Sequence, residues 1–177
     1  MAGKPQKNKS PKKNPPGKGA RSREGRGTAA PIDAIALLEG DHLEVENYFS
    51  EYDNLESPDD KKAVAEKICL ALTVHATIEE EYLYPAARDA ADASELLDNA
   101  TVEHAGAKIL IAEIEAMQPG QPLYDAKVRV LGEQIRQHVM EEEGELFPRL
   151  RESRLDLKQL GQLLMIRKAE LFELLAE

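Results

Sequence analysis

Residues 75–85 read HATIEEEYLYP, and residues 138–148 read HVMEEEGELFP. The two phrases align as H-x-x-x-E-E-x-x-L-[Y/F]-P. Residues four apart lie above one another on a helix face, so His75 and Glu79 point the same way, as do His138 and Glu142. Successive residues turn by about 100°. That rotation sends Glu80, Glu81, Glu141 and Glu143 toward solvent or the helix flanks. Upstream of each phrase stands a second matched pair: Asp41-His42 before His75 and Glu103-His104 before His138. The chain is thus a duplicated helical hairpin, with acid-His on one helix and His-x-x-x-Glu on the next.

The apolar residues around these phrases recur at spacings of three and four, the helical signature. A first helix carries Ile35, Leu38, His42, Val45 and Phe49, and breaks at NLESPDD, where Ser57 or Asp59 can cap the next. The second carries Val64, Ile68, Leu72, His75, Glu79, Tyr82 and Ala86, with Pro85 marking a kink or an end. The third starts near Ser94, carries Leu97, Ala100, His104, Ala107, Ile111 and Ile114, and stops at MQPGQP. The fourth carries Val128, Leu131, Ile135, His138, Glu142 and Leu146, and meets Pro148. A last amphipathic helix covers roughly Leu155 to Leu175. Short connections imply antiparallel neighbours, so the expected fold is all-α: an up-down four-helix bundle with an additional C-terminal helix.

Composition agrees. A chain of 177 residues suffices for one domain with a proper core. Aromatic residues at 5%, no Trp and 32% charged residues disfavour a β-sandwich or barrel. The lone Cys69 forms neither an internal disulfide nor a thiolate cluster, which fits a reducing cytoplasm and leaves it a small buried hydrophobe. No apolar run is long enough to span a bilayer, and the N-terminus lacks a signal-peptide apolar stretch. The net charge of −10 conceals an asymmetry: nine Lys/Arg against one Glu in residues 1–30 give +8, leaving −18 for the rest. We read residues 1–30 as a disordered basic tail and residues 31–177 as the helical body. The tail can hold nucleic acid only weakly, by counterion release, because no aromatic residue is interleaved to stack on bases. The acidic body repels nucleic acid.

All four histidines of the chain sit in apolar seams. Two inward carboxylates and four imidazoles in a core need a counter-charge, since burying an unpaired carboxylate is costly. A cation supplies it. Imidazole with carboxylate suits iron, and after it manganese or zinc, whereas soft copper sites want sulfur. Six ligands are generous for one ion and right for two. The repeat divides them as His42 and His75 on one metal, His104 and His138 on the other, with Glu79 and Glu142 bridging. Asp41 and Glu103 are placed to accept hydrogen bonds from imidazole N–H groups.

The series His…His-x-x-x-Glu…His…His-x-x-x-Glu, each phrase running into EE-x-x-L-[Y/F]-P, resembles the hemerythrin-like (HHE cation-binding) domains over about Ile32 to Leu150. The resemblance implies two irons, oxo- or hydroxo-bridged, held by His42, His75, Glu79, His104, His138 and Glu142. It also implies a small-molecule ligand: O2, hydrogen peroxide or nitric oxide. Oxygen-carrying members have a further histidine where this chain has Lys108, and end the fourth-helix motif H-x-x-x-x-D where this chain has H-x-x-x-E. Reversible oxygen storage is therefore disfavoured against handling peroxide, oxygen or nitric oxide as reactant, or sensing iron or redox state. Tyr82, three residues past Glu79, either ligates as phenolate or bonds a ligand through its hydroxyl. Glu46 either pairs with Lys108 or is an extra ligand. Glu145, aligned with Tyr82, faces a metal or an opening. No separate acid–base residue stands out, so peroxide disproportionation is one candidate activity beside carrier and sensor. The alternative is a helical interaction module with a structural metal, its basic tail docking nucleic acid or another anionic partner.

Overall fold

The computed structural model describes Met1, Gly3 and residues 33–175; the expected disordered tail lies outside the described residues. Helix α1 is Ala34–Asp53, started by Asp33, whose carboxylate accepts from the Ala36 N–H at 2.9 Å. Helix α2, Pro58–Ile78, is capped by Ser57, with Pro58 and the acids Asp59 and Asp60 in its first turn. A helix N-terminus favours all three features, because its free N–H groups want an acceptor or none at all. A π-helical turn, Glu79–Leu83, joins α2 to α3, Tyr84–Ala90. Helix α4 is Ser94–Glu115 and α5 is Tyr124–Glu141. A second π-helical turn, Glu142–Leu146, joins α5 to α6, Phe147–Glu152. Helix α7, Leu157–Leu175, closes the described chain, with Asp156 accepting from the Lys158 and Gln159 N–H groups.

Hairpins α1/α2 and α4/α5 make up the bundle, and α7 lies against α1 and α2. Neither Pro85 nor Pro148 ends its rod. Each falls in the first turn of the restarted helix, where its missing N–H costs nothing. The sharp reversal between α4 and α5 puts Gly120 at φ 86 and Leu123 at φ 74.

The core is divided. One apolar cluster gathers Leu38, Val74, Ile78, Leu83, Leu97, Phe147 and Leu150, and α7 adds Leu160, Leu164 and Leu171 to it. The other gathers Val45, Phe49, Ile68, Leu72, Ile111, Val128 and Leu131. Cys69 belongs to the second, and burial pushes its thiol up to about 12, first by desolvation and then by Glu115 and Glu66. The histidine-bearing turns lie between the clusters: His42 between Leu38 and Val45, His104 between Ala100 and Ala107. Among the described residues no helix is long and apolar enough to cross a membrane.

Leu164 is fully buried in the first cluster. Leu164→Ala should lower stability by about 2–5 kcal/mol, read as a shifted urea midpoint at unchanged slope. A change within error would mean that α7 merely rests on the bundle.

Candidate metal centre

The layer between the clusters holds His42, His75, Glu79, His104, His138 and Glu142, all buried, with Glu79 at 0% and Glu142 at 2% exposure. Their polar atoms converge. Nε2 of His42 stands 3.2 Å from Nε2 of His75, and Nε2 of His104 stands 3.2 Å from Nε2 of His138. Each carboxylate spans the two pairs. Glu79 Oε2 lies 3.2 Å from His75 Nε2 and 3.4 Å from His104 Nε2. Glu142 Oε2 lies 3.5 Å from both His42 and His138 Nε2.

The opposite ring edges fix the tautomer. Nδ1 of His42 meets Glu143 at 2.8 Å, Nδ1 of His104 meets Glu80 at 3.1 Å, and Nδ1 of His138 meets Glu103 at 2.8 Å. Nδ1 of His75 faces Asp41 Oδ2 at 3.6 Å. A carboxylate at Nδ1 keeps the proton there and turns a lone pair inward at Nε2. Two such lone pairs face each other within each 3.2 Å pair, an arrangement that repels unless a positive charge sits between them. Nitrogens sharing one cation at a right angle, each about 2.1 Å from it, stand about 3 Å apart. Glu79 Oε1 and Glu142 Oε2 are buried without a hydrogen-bond partner among the described residues, as oxygens reserved for a cation are. The donor set therefore fits two cations.

The local field favours positive charge. Burial alone lowers the pKa of His75, but Glu79, Asp41 and Glu142 outweigh it and raise it to about 10. Burial would raise that of Glu79, but His75, His104 and His138 hold it well below the carboxylate range. His104 is lowered, chiefly by burial, with Glu79 opposing.

Several flanking residues stand elsewhere than the α-helical rotation places them. The hydroxyl that reaches the layer is Tyr84, not Tyr82: it donates to Glu142 Oε1 at 3.0 Å and lies 3.3 Å from His104 Nε2 and 3.5 Å from Glu79 Oε2. Tyr82 is half-buried against the first apolar cluster. The cause is the π turn. The Tyr84 N–H bonds the carbonyl of Glu79, five residues back, so an extra residue enters the turn and the phase beyond Glu79 shifts. Burial, then Glu79 and Glu142, push the Tyr84 phenol well above its ordinary value, so it stays a donor. The Phe147 N–H bonds the Glu142 carbonyl in the same way, and Phe147 stacks on His42 as Tyr84 stacks on His104. The halves thus differ by one hydroxyl.

Glu80 and Glu143 are not idle surface charges, because each grips a histidine of the opposite hairpin. Glu46 and Lys108 do not pair with each other. Glu46 accepts from Arg136 Nε at 2.9 Å, and Lys108 donates to both oxygens of Glu80 at 2.7 and 2.6 Å. Glu145 is exposed. Asp41 bonds Lys168 of α7, a contact beyond the reach of the repeat.

A four-helix bundle enclosing two bridged histidine pairs defines a class of cation-binding helical proteins. The chain belongs to the hemerythrin HHE cation binding domain family, whose match covers residues 33–150. A 118-residue stretch, 65% of this chain, is 34% identical to part of a DNA nickase of Nostoc sp.; it spans 32% of that longer protein. The fold also matches the crystal structure of a hemerythrin HHE cation binding domain-containing protein, a homologue from Mycobacterium kansasii. That protein is the homologue of another mycobacterial protein; the match to it has a TM-score of 0.69 at 19% identity, covers 79% of this chain and 87% of the other, and shows the fold alone.

The His75–Glu79 pair gives a signed pH test. A histidine raised from 6.5 to about 10 stabilises the fold fully below its unfolded value and loses that contribution as pH rises through its folded one. The metal-stripped chain should therefore melt progressively lower between pH 7 and pH 10. The loaded chain should not, because the cation takes the proton's place. A flat melting profile for the stripped chain counts against the pair.

Proposed function

We propose that the centre holds two iron ions and handles a small oxygen or nitrogen oxide species. The single observation that carries this reading is the pair of 3.2 Å Nε2–Nε2 contacts bridged by Glu79 and Glu142. His42 and His75 would hold one ion and His104 and His138 the other, with Glu79 and Glu142 supplying the carboxylates. Imidazole and carboxylate without sulfur favour iron over copper, with manganese or zinc as the other occupants this donor set accepts. Two irons, when bound, supply two-electron exchange with such a molecule.

The protein's part is positioning and exclusion. Three flanking glutamates hold imidazole lone pairs inward, and Asp41 faces the fourth ring at 3.6 Å. Val45, Leu72, Ala107, Ile111 and Ile135, with the four histidines, line a cavity of about 20 Å3 for the centre of a water-sized molecule. That is room for about one small molecule, and apolar walls suit O2, peroxide or nitric oxide better than an anion. Lys108 lines the same cavity but gives its charge to Glu80, which supports reactant handling or sensing over oxygen storage. For peroxide, one molecule is oxidised to O2 while a second is reduced to two waters, and the electrons balance.

Metal analysis with an optical spectrum tests this. Two irons per chain with near-ultraviolet oxo-iron charge transfer are expected, both lost in His75→Ala, together with any O2 evolved from added peroxide. One zinc or no metal refutes it.

A second reading has its own support: a helical module with a structural metal that docks nucleic acid through residues 1–30. The +8 charge of that segment and the similarity to part of a DNA nickase favour it. It predicts duplex DNA binding that weakens steeply with salt, disappears on deleting residues 1–30 and survives His75→Ala. Binding indifferent to that deletion excludes it.

A further inference from the structure

Three of the four histidines make close Nδ1 contacts with glutamates, at 2.8, 3.1 and 2.8 Å. His75 does not. Its partner is Asp41, one methylene shorter, and the gap is 3.6 Å. Both facing atoms, His75 Nδ1 and Asp41 Oδ2, are buried without a hydrogen-bond partner among the described residues. The other carboxylate oxygen, Oδ1, is engaged by Lys168 of α7. Lys168 is itself held by stacking over Phe172 at 5.7 Å and sits beside Arg167, which ties α7 to Glu81 at 2.7 and 3.1 Å. Asp41 is therefore shared between a lysine outside the four-helix frame and a histidine inside it. Helix α7 lies C-terminal to residues 33–150, the stretch that matches the family.

We propose that Lys168 is a positioning residue that draws Asp41 away from His75, so that α7 limits how firmly His75 holds its cation. A carboxylate closing on Nδ1–H makes the imidazole a stronger donor at Nε2. Lys168 neutralises part of that carboxylate's charge and occupies one of its oxygens. Released from Lys168, Asp41 turns to the His75 N–H that faces it at 3.6 Å, closes on it, and the cation is held longer. The inference rests on the reading of the six side chains as cation ligands.

The test loads the full-length chain with cobalt(II), whose visible bands report coordination, and follows release to excess EDTA. Lys168→Met should release cobalt several-fold more slowly than wild type. Asp41→Asn should release it about ten-fold faster or more. The double variant should match Asp41→Asn alone, because Lys168 acts only through Asp41. Lys168→Arg should return toward wild type, and Arg167→Met, which cuts the neighbouring tie of α7, should leave the rate unchanged. A purely structural role for Lys168 predicts faster release and a lower melting temperature. A through-space effect of its charge predicts that the slowing persists in the Asp41→Asn background. Either result overturns the proposal. A wild-type chain that takes up no cobalt instead refutes the reading of the site itself.

Discussion

Two carboxylates and four imidazole lone pairs share one buried layer, and only positive charge between them makes that layer tolerable. Glu79 and Glu142 are shut away from water, and an uncompensated buried carboxylate costs several kcal/mol. Protons can satisfy the layer in part, as the high affinity of His75 for one indicates. Cations held between the histidine pairs would satisfy it further, with the inward nitrogens and carboxylate oxygens as donors. The remaining architecture serves this layer. The apolar core splits around it, the hairpins pair so that it closes, and the flanking carboxylates aim it.

The two π turns fall on the carboxylate bridges, at Glu79–Leu83 and Glu142–Leu146. Such turns are rare overall and frequent at functional sites. Here each re-phases the helix immediately after a glutamate, so that the next aromatic ring covers the centre: Tyr84 over His104 and Phe147 over His42. The rings seal the side toward the first apolar cluster, while the small cavity opens toward the second. Seen this way, duplication supplied a symmetric frame, and one hydroxyl breaks the symmetry where ligands meet.

The flanking charges are less symmetric than the frame. All four histidines have an acid facing Nδ1, but among the described residues lysines back only two of those acids: Lys108 on Glu80 and Lys168 on Asp41. Each histidine pair contains one lysine-backed member, His75 in the first and His104 in the second. The two lysines touch none of the six buried side chains of the layer, and one stands on α4 and one on α7. Helix α7 meets Asp41 through Lys168 and the first apolar cluster through Leu164.

Helical periodicity, the matched phrases and the count of histidines were enough to read the all-α bundle, its four inward histidines and the two inward glutamates. These are local properties: a spacing of three or four marks a face whatever lies opposite. The sequence pattern also pointed to Asp41 and Glu103 as partners for imidazole N–H groups, because each neighbours a seam residue; Glu103 does bond His138, whereas Asp41 bonds Lys168 and only faces His75 at 3.6 Å. What tertiary structure alone decided is everything that depends on phase beyond a π turn or on contacts between distant segments. Tyr84 replaces Tyr82 because a five-residue hydrogen bond adds a residue to the turn, which no α-helical rotation anticipates. Glu80 and Glu143 grip histidines of the opposite hairpin, Lys108 turns to Glu80 and Glu46 to Arg136, because those partners are brought together by packing between helices. Lys168 reaches Asp41 from a helix outside the repeat, and spacing carries no information about where such a helix will lie.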